Sequence, residues 1–334
     1  PAGSDVPDYR REASLYSTMA SQAQAYGRAL VDTLHERSGD RDALLTVPGQ
    51  PAVPYAGWGR IVGQHNSWSN GQGIYNQDGA AFDQNIFAFQ AGIDLFRKDH
   101  ADGSRDRAGV YGAVGRSESD VTHYTGIRAG TNDLDVYSAG AYWTHYGAQG
   151  WYTDAIAQIS RYNAEMTSGR GIRLKTDGYG FTASLEGGYT FRFVNGLILE
   201  PQAQIVYQRD QFDDASDIAS HVRFKDTDSL AGRIGLRVRK DWALDDSPTP
   251  RILSTWARVN LWHEFLADNR MSFASADGPV FFTSNMGGTW GEIQGGATLQ
   301  LANQTSLFAA AGYQFGLTGD RHAYNGKLGL KITW

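Results

Sequence analysis

The chain ends in YNGKLGLKITW (residues 324–334), in which apolar residues alternate with polar residues or glycine. Tyr324, Leu328, Leu330, Ile332 and Trp334 share one parity, and the two lysines, asparagine and threonine share the other. Successive side chains of a β-strand lie on opposite faces, so a period of two gives one apolar and one polar face. The stretch therefore predicts a strand of about eleven residues, longer than the usual 5–6 of soluble sheets.

The same alternation recurs through most of the chain. We predict twelve strands near residues 54–65, 83–97, 107–118, 132–146, 150–163, 176–192, 196–209, 227–241, 252–265, 288–301, 305–317 and 323–334. Most have twelve or more residues, whereas a tilted membrane strand needs about 9–11. The fold class indicated is an all-β membrane protein, a twelve-stranded antiparallel transmembrane barrel.

The connections support a barrel of the outer-membrane type. Those after even-numbered strands are mostly short, as at residues 147–149 and 302–304, and those after odd-numbered strands are mostly long, as at 66–82 and 211–226. Outer-membrane barrels have short periplasmic turns and longer outer loops. Pro201 lies well inside a predicted strand, and we expect a bulge or an irregular bond there because proline lacks an N–H.

The first forty residues follow a different pattern. Apolar side chains recur at helical spacing at Leu15, Met19, Tyr26, Leu30 and Leu34. They predict a helix over residues 12–38, about 40 Å long at 1.5 Å per residue. Its other faces are polar. We divide the chain into a linker and helix (residues 1–52) and a barrel (residues 53–334).

Composition and motifs argue against several classes of protein. The 30 Lys and Arg against 36 Asp and Glu show no basic excess of the kind that nucleic-acid binding needs. The absence of cysteine excludes thiol catalysis, cysteine zinc sites and disulfides. The eight histidines have no short metal-site spacing, and no Gly-x-Ser-x-Gly elbow occurs. We therefore predict no catalytic residue, no metal site and no cofactor.

The polar face of the predicted strands carries many charges. A soluble sandwich or lipocalin-like barrel remains an alternative, because alternation alone does not say which face is inside. Strand length, strand number and loop asymmetry favour the membrane barrel, whose lumen is polar. The predicted lumen-lining residues are Arg60, Glu186, Glu200, Arg233, Arg237, Arg258, Glu292 and Lys331. They could surround a helix or a passing chain, or form a salt-bridge network that only fills the bore.

Several motifs, in their order along the chain, resemble those of one known family. They are TLHERSGD (residues 33–40), WGR (58–60), YWTHY through GWY (142–152), LEPQAQ (199–204) and the ending YNGKLGL (324–330). This set is similar to the autotransporter translocator domain, pertactin type, over nearly everything from Tyr9 to Trp334.

The resemblance implies a bacterial outer-membrane barrel with the N-terminal helix inside its pore. It also implies that a passenger domain is exported to the cell surface, and that the partners are outer-membrane lipid, this passenger, periplasmic chaperones and the outer-membrane assembly machinery. The C-terminal signal that this machinery would read comprises Leu328, Leu330, Ile332 and Trp334.

The sequence is also compatible with two other functions. One is a diffusion porin, which needs no N-terminal helix in its pore, and the other is a hydrolase with an active site at the rim. Some relatives release their passenger at an Asn-Asn bond inside the barrel, but no Asn-Asn pair occurs here. We therefore transfer no self-cleavage residues and predict that the barrel is not an enzyme.

Overall fold

The computed structural model describes residues 9–38, 55–69, 79–246, 251–266, 268–274, 278–285, 287–302 and 305–334. The helices are α1 Glu12–Ser17, α2 Met19–Val31 and α3 Leu34–Ser38. The strands are β1 Ala56–Ser69, β2 Ala81–Asp99, β3 Arg105–Thr122, β4 Arg128–Tyr146, β5 Trp151–Ser168, β6 Arg173–Tyr189, β7 Phe191–Arg192, β8 Leu197–Phe212, β9 Ala215–Ser216, β10 His221–Phe224, β11 Thr227–Ala243, β12 Ile252–Glu264, β13 Asp268–Phe273, β14 Val280–Asn285, β15 Gly288–Ala302, β16 Thr305–Gly316 and β17 Asp320–Thr333.

The twelve long strands form one closed antiparallel barrel. They follow the order β1-β2-β3-β4-β5-β6-β8-β11-β12-β15-β16-β17, and β17 pairs back onto β1. This last pairing runs from Ala56↔Thr333 to Ser69↔Asp320. Each long strand is therefore paired on both sides, which satisfies the backbone where no water is present to do so. The twelve predicted strands are confirmed.

The inward face of the barrel is polar and the outward face is apolar. On β17 the inward Lys327 and Lys331 are buried, whereas Leu328 is 58% exposed and Ile332 is 42% exposed. The outward side chains Leu330 and Trp334 are exposed as well. A soluble barrel would have the opposite arrangement, so the outward face is suited to contact with lipid hydrocarbon.

The predicted N-terminal helix is present at residues 12–38, but it is divided into three helical segments. Thr18 keeps right-handed helical dihedrals between α1 and α2 (φ −88, ψ −12), whereas Asp32 has φ 54 and ψ −145 and ends α2. The Asp32 carbonyl accepts a hydrogen bond of 2.7 Å from Gln204, and its carboxylate pairs with Arg60 at 3.0 Å. These wall contacts hold a backbone conformation that a non-glycine residue rarely adopts, so the helix predicted over residues 12–38 is present but is interrupted at Asp32. None of the described helices has the length and apolar character needed to span a membrane.

A small sheet that the sequence did not predict lies at the long-loop end of the barrel. Strands β9, β10, β13 and β14 pair with one another across two long connections. Phe273 and Phe282 of this sheet contact Tyr16 of α1 and Tyr9, with ring centroids 5.8 Å and 5.1 Å apart respectively. The sheet therefore packs against the N-terminal end of the helix.

Pro201 coincides with an interruption rather than a bulge. Pairing of β6 with β8 stops at Gly188↔Gln202 and resumes between β7 and β8 at Phe191↔Leu199 in the same register. On its other side, β8 pairs regularly with β11. The expected irregular bonding is present on one side only.

The boundary drawn between residues 52 and 53 lies outside the described residues, and the domain division stays a prediction.

Candidate functional site: the barrel lumen

The helix lies within the lumen and is surrounded by the barrel wall. Four wall side chains from different strands donate hydrogen bonds to backbone carbonyls of α1 and α2. These bonds are Gln84 to Gln22 (2.9 Å), Gln208 to Gln24 (3.1 Å), Asn132 to Leu15 (3.0 Å) and Arg60 to Leu30 (2.6 Å). Because β1, β2, β4 and β8 contribute one donor each, the helix is held from several sides of the bore.

The helix runs from the outer end of the barrel to the periplasmic end. In α1, Ser14 Oγ lies 2.7 Å from His123 Nδ1, in the connection between β3 and β4. In α3, Arg37 pairs with Asp154 near the start of β5, beside a short periplasmic turn. The N-terminal end of the helix therefore lies at the outer mouth.

Ion pairs hold α1 at the outer mouth. Arg10 binds Asp217 at 2.6 Å, Tyr16 donates to Asp217 at 2.9 Å, and Glu12 pairs with Arg10 and Arg170. Burial raises the pKa of Glu12, but hydrogen bonds from Arg170 and Arg10 outweigh it and lower this pKa from 4.5 to about 2. Glu12 is thus held as a carboxylate over the ordinary pH range.

A buried cluster surrounds Asp32 and Glu36 on one side of the lower lumen. Arg60 of β1 lies 3.0 Å from the Asp32 carboxylate. Arg258 of β12 and Lys327 of β17 each lie 3.1 Å from Glu36, and Lys327 also pairs with Asp32. Two acids of the helix therefore meet three bases of the wall. Burial of these charges costs solvation free energy, and the attraction between them offsets this cost only because the hydrogen bonding is extensive.

The opposite side of the helix carries the opposite charges. Arg37 makes two hydrogen bonds to Asp154, at 2.7 Å and 2.9 Å, and His35 Nε2 lies 2.7 Å from Glu200 Oε1. The backbone N–H of Leu34 donates to Glu186 at 3.1 Å. The segment from residue 32 to residue 37 is thus bound through charges on two sides.

The eight predicted lumen residues are all buried. Arg60, Glu186, Glu200 and Arg258 contact the helix directly, as described above. Arg233 lies 3.5 Å from Glu186 and donates to two glutamines of β8.

The other three also lie on the inner wall of the barrel. The Arg237 guanidinium lies 4.8 Å from the Trp256 ring centroid, Glu292 accepts hydrogen bonds from Asn260 and Trp262, and Lys331 is buried on β17. The structure thus places all eight in the lumen and brings Arg60, Glu186, Glu200 and Arg258 into contact with the helix. Their role in translocation stays a prediction.

Two wall residues that bind the helix were not among the eight predicted lumen residues. Asp154 and Lys327 lie within predicted strands, and Lys327 has the inward parity of the C-terminal strand. Their parity could have placed them in the lumen. Their partners could not be assigned because the rotation and depth of the helix depend on the whole barrel.

One small cavity borders α2. A cavity of about 50 Å³ lies between α2 and the wall, lined among others by Arg28, Trp290 and Arg321. This volume is enough for a few waters at most. In the part of the chain that the structure describes, no group of three histidine, cysteine or acidic residues is placed to hold a metal ion.

Comparisons with known proteins identify the family. The family model described as the autotransporter beta-domain matches residues 57–312. The adhesin BmaC autotransporter of Brucella suis biovar 1 is 29% identical over 350 residues, which cover 100% of this chain and 10% of that protein. The pertactin autotransporter of Bordetella bronchiseptica is 29% identical over 268 residues, covering 78% of this chain and 27% of that protein. The chain thus spans a tenth to about a quarter of the length of these two relatives.

Solved structures have the same fold. The transport unit of the autotransporter AIDA-I from Escherichia coli matches with a TM-score of 0.75 at 23% identity, covering 98% of this chain and 100% of that one. The translocator domain of NalP from Neisseria meningitidis matches with a TM-score of 0.66 at 14% identity, covering 96% and 99%. Together with the match to the family model, the closed twelve-stranded barrel and the helix in its lumen show that this chain belongs to the autotransporter family, as an outer-membrane translocator β-domain.

Proposed function

We propose that this barrel exports a passenger domain, attached upstream of the helix, through its own lumen to the cell surface. The observation that carries the proposal is the direction of the helix, whose N-terminal end lies at the outer mouth beside Asp217 and Arg170. A chain drawn outward through the bore would leave its last segment in this position. The much greater length of BmaC and pertactin supports an upstream passenger.

The eight lumen residues named above form, in this proposal, the hydrated wall along which the passenger moves. Arg60, Glu186, Glu200 and Arg258 are bound to the helix when it is in place, which satisfies this part of the wall. When an extended chain replaces the helix, the same groups are hydrated, and they offer no apolar surface to which the chain would adhere.

The outward face of β17 supports a proposal about assembly. Leu328, Leu330, Ile332 and Trp334 are all exposed on the surface that lipid would cover. We assign them as the C-terminal signal for the outer-membrane assembly machinery, which receives the chain from periplasmic chaperones.

A diffusion porin is the alternative function. The helix argues against it, because four wall donors and a set of buried ion pairs hold α1, α2 and α3 in the bore. A pore built for steady diffusion has no use for such a plug. We also propose that the barrel is no enzyme, since its buried carboxylates have cationic or hydrogen-bonding partners: Glu186 accepts from Tyr152, and Glu292 accepts from Asn260.

The test is export by the protein itself. A signal peptide, an epitope-tagged passenger and this chain are expressed as one polypeptide, and antibody binding to intact cells is measured. We expect surface labelling that depends on the barrel, and periplasmic retention when Leu330 is changed to Arg. A folded barrel whose epitope stays in the periplasm would contradict the proposal.

Self-cleavage is tested on the same polypeptide. Mass spectrometry of the purified, refolded protein should find no time-dependent cut between residues 1 and 40. Cleavage that is abolished by Glu186→Gln or Glu292→Gln would show that one of these carboxylates is catalytic.

A further inference from the structure

The buried charges of the barrel wall are segregated by sign. Six consecutive strands, β11, β12, β15, β16, β17 and β1, form what we call the basic half, and β2, β3, β4, β5, β6 and β8 form the acidic half. Among the described residues, the buried charged side chains of the basic half are seven bases, Arg60, Arg233, Arg237, Arg239, Arg258, Lys327 and Lys331, and two acids, Glu264 and Glu292. Those of the acidic half are five acids, Asp94, Asp154, Glu186, Glu200 and Asp210, and one base, Arg107.

The segregation gives the lumen a transverse electric field. Seven bases less two acids leave an excess of five basic groups on one half, and five acids less one base leave an excess of four acidic groups on the other. Apolar strand faces and hydrocarbon lie outside the wall, so the field between the halves is less screened than at a protein surface in water. Any charged segment in the bore has a preferred rotation in such a field.

The charges of the helix are opposite to those of the facing wall at only one depth in the lumen, around residues 32–37. Asp32 and Glu36 contact Arg60, Arg258 and Lys327 of the basic half. Arg37 and His35 contact Asp154 and Glu200 of the acidic half. Higher in the lumen the rule does not hold, because Arg28 binds Glu264 of the basic half at 3.2 Å.

The geometry of Asp32 fits this arrangement. Its positive φ ends α2, and the chain restarts as α3; Asp32 and Glu36 share Lys327, and Arg37 reaches the other side.

We propose that the barrel recognises its own trailing linker by charge sign, through a binding site for residues 32–37 in which the basic half holds the two acids and the acidic half holds the two bases. The site sets the rotation and the depth at which the moving chain stops. Turning this segment by half a revolution would oppose like charges on both sides, which suppresses other seatings. This inference rests on the proposed function only in taking residues 9–38 as the segment that remains after export.

The test reverses signs and then restores complementarity. The single variant Glu36→Arg faces Arg258 and Lys327, and the double variant Glu36→Arg with Arg258→Glu restores an opposite pair. Glu36→Gln removes the charge and keeps the shape. Asp133→Arg is the matched control, because it makes the same charge change at an outward position that pairs with Arg116 outside the lumen. All are made in the full chain, and their folding is checked by heat-modifiable gel mobility.

The readout is the fraction of time that single molecules spend at a high-conductance level in planar bilayers. We expect at least about a tenfold rise for Glu36→Arg, since an uncompensated buried charge strongly favours departure of the helix. A smaller rise is expected for Glu36→Gln, none for Asp133→Arg, and a return toward the original value for the double variant.

The opposite wall provides an independent pair, Arg37→Glu with and without Asp154→Arg. A single reversal that fails to fold while its double variant folds also supports the site. A double variant that is unfolded, or that opens as often as its single reversal, overturns the proposal, as does a Glu36→Arg variant that behaves like Asp133→Arg. The conductance experiment does not measure export of the passenger. A failure of the proposed function would instead appear in the surface-labelling experiment.

Discussion

A charge placed on the outward face of the last strand gives a sharp test of the barrel's orientation. Leu330 lies near the middle of the outward apolar row of β17, which runs from Tyr324 to Trp334, and it is 38% exposed in the protein alone. Its neighbours across the ladder are Leu307 of β16 and Gly59 of β1. Hydrocarbon surrounds this position in the membrane, so Leu330→Arg introduces a cation that has no counter-ion.

The destabilisation expected from Leu330→Arg depends on how deep this position lies in the bilayer. An arginine on the lipid face near the bilayer midplane destabilises a barrel by about 2–4 kcal/mol, and one near the interface by about 0–1 kcal/mol. The matched control is His322→Arg, an outward position near the outer end of the same strand. The difference between the two variants should therefore be about 1–4 kcal/mol.

Equilibrium unfolding in urea, in phospholipid vesicles and with gel mobility as the probe, measures this difference. Both variants are expected to keep the same urea dependence, because the surface exposed on unfolding is unchanged. Equal free energies of unfolding for Leu330→Arg and His322→Arg would refute the assignment of this face to lipid.

Three further outcomes follow from particular contacts. Arg37→Leu leaves Asp154 buried without its cation and should lower the free energy of unfolding by about 2–4 kcal/mol, whereas Arg37→Leu with Asp154→Leu should recover most of the loss in the same urea assay. Gly140→Val should destabilise by about 1–3 kcal/mol, because a Cβ there would lie 2.2 Å from Cζ of Tyr111, and thermal denaturation should show partial rescue by Tyr111→Ala. The depressed pKa of Glu12 adds stability that is complete above its ordinary value of 4.5 and is lost as the pH falls toward about 2; the hydrogen-exchange protection factors of residues 9–17, which are corrected for the intrinsic rate at each pH, should fall over that range, and Glu12→Gln should flatten this fall.

The barrel was accessible from the sequence because its signal is local. Each strand repeats the two-residue period of the C-terminal stretch, and the closure of β17 onto β1 follows once twelve strands are counted. The direction of the polar face was decided by strand length and loop asymmetry, and the exposure of Leu328 and the burial of Lys327 agree with it.

Features that depend on distant parts of the chain were not accessible. The small sheet of β9, β10, β13 and β14 joins short segments of two loops, none of which has a clear period by itself. The break at Asp32 depends on Gln204 and Arg60, far along the chain, rather than on a glycine or proline. The pairing of Glu36 with Arg258 likewise required the rotation of the helix, which alternation along the strands does not encode.

Residues 9–38 occupy the lumen, and single-channel conductance tests this arrangement most directly. The full chain and a chain that lacks residues 1–40 are refolded and compared in planar bilayers under identical salt. Removing a helix about 10 Å wide should open the bore. For the full chain we expect a low conductance that rarely rises to an open level. For the shortened chain we expect a stable conductance several-fold larger. The shortened chain should also have a lower thermal stability but still form the barrel. Equal conductances for two folded barrels would contradict this arrangement.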